Sequence, residues 1–203
     1  MAEIRSVEAL RAMMGQPNRL TRMKIRDALD EQAKAFIARS PFLLLATTGE
    51  DGTLEVSPKG DEPGFVAIED ERTLLVPDRP GNNLAFGLTN IVQNPQIALI
   101  FLSPGTGETL RVSGRASLHD DVELCERLSA RGRAATLVMR VAIARTYFHC
   151  ARSVLRANLW NPENWPAPMK VSFGKIIADA TAGDSTMADQ IDSRVSEGYR
   201  TGL

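Results

Sequence analysis

The sequence predicts a mainly β protein with flanking helices, an α+β chain built on an antiparallel barrel or sandwich of about six short strands. Three observations carry this. Six apolar, strand-length runs crowd into the stretch 42–118. The turns between them are short and rich in Gly, Pro, Asp and Asn, which favours hairpins over the long crossovers of a parallel sheet. Helical periodicity lies mainly at the two ends of the chain, outside that stretch.

The elements follow in order. Val7, Leu10 and Met14 recur at helical spacing, and so do Ile25, Leu29, Ala33 and Phe36, with Gly15-Gln-Pro17 between the two sets. Residues 1–40 are therefore expected to be two amphipathic helices packing on the barrel or on a second subunit. Residues 41–203 are expected to hold the barrel with its C-terminal helices, as one domain overall. Phe42–Thr47 is a continuous apolar run, ended by Gly49-Glu-Asp-Gly52 and followed by its hairpin partner Thr53–Ser57. Phe65–Ile68 and Thr73–Val76 pair around a polar turn. Asn82 is placed to cap a helix carrying Leu84, Leu88 and Ile91. Gln96–Leu102 is apolar enough to be central. Thr109–Ser113 follows a Pro-Gly turn and bends at Gly114 into Arg115–Leu118. Asp120 and Asp121 cap a short helix, Leu137–Ile143 alternates as one more strand, and 150–159 and about 184–198 read as helical.

Bulk properties narrow the function. The 24 basic and 25 acidic residues of the 203-residue chain nearly cancel. No basic stripe marks a nucleic-acid or membrane surface. Two cysteines allow at most one disulfide, and there is no zinc spacing, so no metal is expected. The polar start and the absence of a long apolar run point to a cytoplasmic protein.

Chemistry concentrates at strand ends. Pro77-Asp-Arg-Pro-Gly-Asn82 closes a strand and opens a helix, where free N–H groups and the helix dipole attract anions and Arg79 adds a fork of donors. It fits a phosphate site or a tight turn with a surface arginine. In Ser57-Pro-Lys-Gly-Asp-Glu-Pro-Gly-Phe65, residues Glu55, Ser57 and Lys59 share one strand face, opposite Leu54, Val56 and Pro58. Ser57 and Lys59 form a second anion clamp, unless Lys59 merely pairs with Asp61. In Glu108-Thr-Leu-Arg111, Thr109 and Arg111 share the face opposite Leu110 and Val112. Asn94-Pro95 is the fourth such turn. His119 and His149 are far apart, and neither Cys150 beside His149 nor any nucleophile elbow or phosphate-loop pattern marks a catalytic group. Catalytic residues are unknown at this level, and any redox chemistry would belong to a cofactor.

Taken together and in order, these motifs resemble the pyridoxamine 5′-phosphate oxidase-like superfamily, the FMN-binding split barrels. Within it they are similar to a bacterial group of largely unassigned flavoproteins, as is His149-Cys-Ala-Arg-Ser-Val-Leu-Arg-x-x-Leu-Trp160. The resemblance implies a six-stranded antiparallel split β-barrel and a homodimer with FMN at the interface. It implies cofactor contacts from Ser57, Pro58, Lys59, Pro77, Asp78, Arg79, Asn82, Thr109 and Arg111. Trp160 would come from the partner subunit. It further implies an FMN-dependent oxidoreductase, with a flavin-storage module, or a split barrel holding deazaflavin or haem, as the alternatives. The Arg-x-His signature of true pyridoxamine-phosphate oxidases is missing from the sequence, so oxidation of vitamin B6 is not supported. Substrate, electron donor and acceptor stay unnamed.

Overall fold

A computed structural model describes residues 3–202. The described residues divide into two compact units, 3–130 with Ala134–Trp160, and Arg131–Arg133 with 161–202.

The first unit is built on one antiparallel sheet. Its strands are β1 (Phe42–Thr48), β2 (Leu54–Gly60), β3 (Ala67–Asp70), β4 (Thr73–Asp78), β5 (Gln96–Leu102), β6 (Thr109–His119) and β7 (Leu137–His149). They lie in the order β2-β1-β5-β6-β7-β4-β3. The sheet thus has seven strands where the barrel was expected to have six. The alternating run from Leu137 is the addition: it extends to 13 residues and sits between β6 and β4. A strand of that length pairs along all of β6, so it completes the sheet rather than decorating it.

Alternation sets the two faces of the sheet. Leu43 and Leu45 of β1, Leu99 and Phe101 of β5, Leu110 and Val112 of β6, and Val141 of β7 point inward and are fully buried. Each such side chain contributes about 2 kcal/mol by leaving water. A smaller cluster of Leu75, Val138, Cys125 and Ala135 fills the opposite face of β4 and β7, where α5 (Val122–Arg127) packs. Asp121 caps α5 by accepting from the Leu124 N–H. Cys125 and Cys150 are both free thiols.

The bend at Gly114 has a steric cause. The β6–β7 register slips between Ser113 and Gly114. A Cβ on Gly114 would collide with the backbone carbonyl of Ala142. Absence of a side chain is what lets the two backbones close up here.

The N-terminal segment departs from expectation. Helix α1 (Val7–Met14) forms as the periodicity predicts, but the second helix is broken into α2 (Arg19–Met23) and α3 (Glu31–Arg39). Arg26 exchanges both backbone hydrogen bonds with Thr146 of β7, which holds the chain extended. Asp30 then caps α3 by accepting from the Ala33 N–H, 2.9 Å away. Ile25 and Leu29 therefore precede the helix instead of belonging to it. Helix α4 (Phe86–Gln93) packs on β1, β2 and β6, and α6 (Arg152–Arg156) is a single short turn of helix.

The second unit is a helical pair. Helix α8 (Ser185–Thr201) meets its sequence expectation, whereas α7 (Phe173–Thr181) was not anticipated. Ser172 caps α7, and Gly174 packs directly against the Ala188 carbonyl of α8. Among the described residues, no helix is long and apolar enough to cross a membrane.

Candidate functional site

The edge strand β2 pairs with β1 on one side only. Its inner-face residues, Ser57 and Lys59, sit in register with the buried Leu45 and Leu43. They would point into the core if another strand followed. Instead the sheet curls until β2 stands against the end of β4, and side chains tie the two together. Lys59 forms an ion pair with Asp78. Arg79 donates from Nε to Asp61 Oδ2 at 2.9 Å, just beyond β2. The barrel is closed there by two ion pairs rather than by a backbone ladder.

Between these two ends lies a cleft of about 670 Å³. That is within the usual range for a small-molecule site, roughly 300–1,000 Å³. Ser57, Pro58, Lys59, Pro77, Asp78, Arg79 and Asn82 all line it. So do apolar groups that the sequence did not single out, among them Leu45, Phe65 and Leu137. One wall is the start of α4, from Ala85 to Leu88.

That helix start is unusual. Asn82 does not cap it: Asn82 Oδ1 accepts from the Leu84 N–H at 3.1 Å, forming a tight turn, and the helix begins only at Phe86. The capping position falls to Ala85, which has no side-chain acceptor and adopts a left-handed conformation (φ 52°). Asn83 is left-handed as well. For an alanine this costs on the order of 1 kcal/mol. The first N–H groups of α4 are left without a capping side chain, at the wall of the cleft. The sequence holds a signal for this approach in Gly87. A Cβ there would lie 3.3 Å from Ser57 Oγ, so glycine lets the helix start press on β2.

The ion pairs differ from the sequence reading in their partners. Asp61, considered as a partner for Lys59, pairs with Arg79 instead. Its carboxylate is only 4% exposed. The Arg79 guanidinium also donates from Nη2 to the Leu128 carbonyl at 2.9 Å, and its Nη1 is buried with no hydrogen-bond partner. An orphaned guanidinium nitrogen and an uncapped helix start are both complementary to an anion. With the apolar surface of Phe65 and Leu137 beside them, the residues present fit a cofactor with a phosphate end and a flat ring.

Thr109, Arg111 and Trp160 do not line this cleft. Thr109 and Arg111 project from the outer face of β6, opposite the inward Leu110 and Val112, and lie beside His149 and Tyr147 of β7. The Nε of Arg111 is buried and unpartnered. Trp160 donates from Nε1 to the Thr106 carbonyl at 2.7 Å. His149 is held below its ordinary pKa, first by burial and then by repulsion from Arg111 and Lys24.

No curated protein matches the chain. Among solved structures, HupZ from Group A Streptococcus is 16% identical, with a TM-score of 0.49 over 59% of this chain and 93% of its own. General Stress Protein 26 from Bacillus anthracis is also 16% identical, with a TM-score of 0.45 over 58% and 91%. An FMN-binding protein from Syntrophomonas wolfei is 11% identical, with a TM-score of 0.44 over 70% and 95%. These overlaps are too loose to say anything about ligands. The sequence model described as pyridoxamine 5′-phosphate oxidase matches residues 29–150, the span from the turn before α3 to the end of β7. Because that match takes in more than half of the chain and every strand of the sheet, the protein belongs to the pyridoxamine 5′-phosphate oxidase family.

Proposed function

We propose that the protein is an FMN-binding flavoprotein and acts as an FMN-dependent oxidoreductase. The observation that carries this reading is the cleft at the barrel's split. It joins Ser57, Lys59 and Arg79 to the uncapped start of α4 and to an apolar wall. The phosphate would lie against the α4 N–H groups and Arg79, and the ring against Phe65 and Leu137. FMN, when bound, supplies reversible hydride and electron transfer; the chain supplies position, charge and exclusion of water. No Arg-x-His segment occurs in the sequence, so pyridoxamine phosphate is not the proposed substrate.

The same reading includes a homodimer. Leu54 and Val56 of β2 and Phe42 of β1 are exposed on the outer face of the sheet. By register, Val56, Ala46 and Ala98 form one row across β2, β1 and β5, and Pro58, Leu44 and Ile100 form the next. An uncovered apolar sheet face of this extent is suited to a second copy of the chain. The row of Ile100 continues into Arg111. In such a dimer Thr109, Arg111 and Trp160 of the partner subunit would approach a flavin held in the first subunit's cleft.

The test is the visible spectrum of the purified protein, with FMN added to any flavin-free fraction. Flavin bands that stay with the protein through gel filtration are expected. No bands and no binding of added FMN would reject the proposal. A second reading, a flavin-binding module without turnover, is favoured by one observation: Lys59, Asp78 and Arg79, which line the cleft, are tied up in ion pairs and so are poorly placed to act as acid or base on a substrate. Stopped-flow reduction by NADH or NADPH separates the two, since turnover with an acceptor occurs only in the oxidoreductase.

A further inference from the structure

We infer that Asp61 is a positioning residue: it holds Arg79 so that one guanidinium nitrogen, Nη1, is reserved for the phosphate of the bound cofactor. This rests on the FMN reading above and adds to it a residue and a division of labour.

The geometry is that of a clamp. Asp61 follows β2 directly, and its backbone N–H donates to the Pro41 carbonyl at 3.1 Å. Its Oδ1 accepts from the Glu62 N–H at 2.9 Å, which orients the carboxylate. Its Oδ2 accepts from Arg79 Nε at 2.9 Å. On the other side, the Leu128 carbonyl takes Arg79 Nη2 at 2.9 Å. Two acceptors on different elements thus fix a planar group, and Nη1 is left buried without a partner.

A guanidinium that served only to brace the barrel would gain from having all its donors satisfied. A buried donor left open costs free energy, on the order of a neutral hydrogen bond or more. The carboxylate itself is 4% exposed, too buried to act as a solvated surface charge. The carboxylate is balanced by the guanidinium itself, and the open donor makes sense when an anion completes the set. A fork fixed in advance loses less entropy when it meets a phosphate than a free arginine does.

The clamp also predicts which substitution is informative. Asp61→Asn keeps the size but offers one acceptor oxygen where the aspartate offers two. Either Glu62 N–H or Arg79 Nε then faces an NH₂ group, and the hold on Arg79 loosens. FMN and riboflavin share the ring and differ in the phosphate, so their affinity ratio reports on the phosphate contact alone.

The experiment measures dissociation constants for FMN and riboflavin by flavin fluorescence quenching, in the wild-type protein, Asp61→Asn and Arg79→Lys. In the wild type FMN binds more tightly than riboflavin. Asp61→Asn lowers that preference by about tenfold, the scale of one charge-assisted hydrogen bond, while riboflavin affinity changes little. Arg79→Lys, which has no fork to hold, lowers it at least as far. If Asp61→Asn weakens both flavins equally, or leaves the ratio unchanged, Asp61 is only a brace and the inference is overturned. If Asp61→Asn does not fold, Arg79→Lys decides: an unchanged ratio there removes Arg79 from the phosphate site and the inference with it. If the wild type binds neither flavin, the functional proposal itself fails, which is a separate outcome.

Discussion

Replacing Lys59 by methionine tests whether an ion pair closes the barrel. Methionine has a similar length and apolar stem, so the main loss is the ammonium. Its partner Asp78 is 14% exposed, and Lys59 itself is 22% exposed. Removing one member of a fully buried pair costs roughly 3–5 kcal/mol, because the other charge is stranded. Water still reaches this pair at its rim, so the expected cost is nearer ~2 kcal/mol. For a chain of this size that lowers Tm by about 4–8 °C. The assay is thermal and urea unfolding of the flavin-free protein, followed by circular dichroism, for Lys59→Met, Asp78→Asn and the double variant. Each single variant should lose stability. The double variant should recover part of it, giving a coupling energy of about 1–2 kcal/mol. Single variants within ~0.5 kcal/mol of wild type, with additive effects, would show that the pair does not hold β2 to β4.

Gly114→Ala should cost about 2–3 kcal/mol in urea unfolding, because the new methyl meets the Ala142 carbonyl and two paired backbones must separate. Val56→Asp should leave the fold intact, since Val56 is 61% exposed, but shift the proposed dimer to monomer in analytical ultracentrifugation. An unchanged dimer would exclude the outer face of β2 from the interface. His149 favours its neutral form when folded, with a pKa below the ordinary 6.5. The unfolded chain then binds the extra proton first, so stability is full above about pH 6.5 and falls as pH drops below it. His149→Gln should flatten that decline, as read from Tm against pH.

The strands were legible because one face of each is buried, and burial writes itself into the sequence as alternation. Thr109-Leu-Arg-Val is the plainest case, with Leu110 and Val112 inside and Thr109 and Arg111 outside. Helix ends were less legible. Asn82 is a favourable capping residue, yet its side chain satisfies a nearer N–H and the helix starts at Phe86. The periodicity of Ile25 and Leu29 is real, but Arg26 pairs with a strand more than a hundred residues away, and no local pattern reports that. Helix α7 is signalled only by the helical spacing of Phe173, Ile176 and Ile177 and the cap Ser172, just after a proline-rich loop that masks it. For the site, seven of the ten candidate residues meet in one cleft because they lie on two strand ends that the curl brings together. Their pairing was not legible: Asp61 and Asp78 exchange the partners that sequence proximity suggests.

The edge position of β2 explains why one strand serves two ends. In a central strand, a lysine in register with Leu43 would have to be buried, and an apolar outer face would meet a covering layer. At the edge neither constraint holds. The inner face opens into the split, so Ser57 and Lys59 reach a cleft instead of a core. On the outer face Leu54 and Val56 are left exposed. An exposed apolar edge strand is a liability in a monomer, prone to pairing with other chains. It is stable in the proposed dimer, where a second copy covers the outer face while the cofactor occupies the inner one. Cofactor site and subunit interface would then be opposite sides of the same seven residues, Leu54–Gly60. Val56→Asp would in that case weaken FMN binding as well as the dimer, though Val56 is on the face opposite Ser57 and Lys59. A monomeric Val56→Asp protein with wild-type FMN affinity would separate the two roles and place the whole cofactor site within one chain.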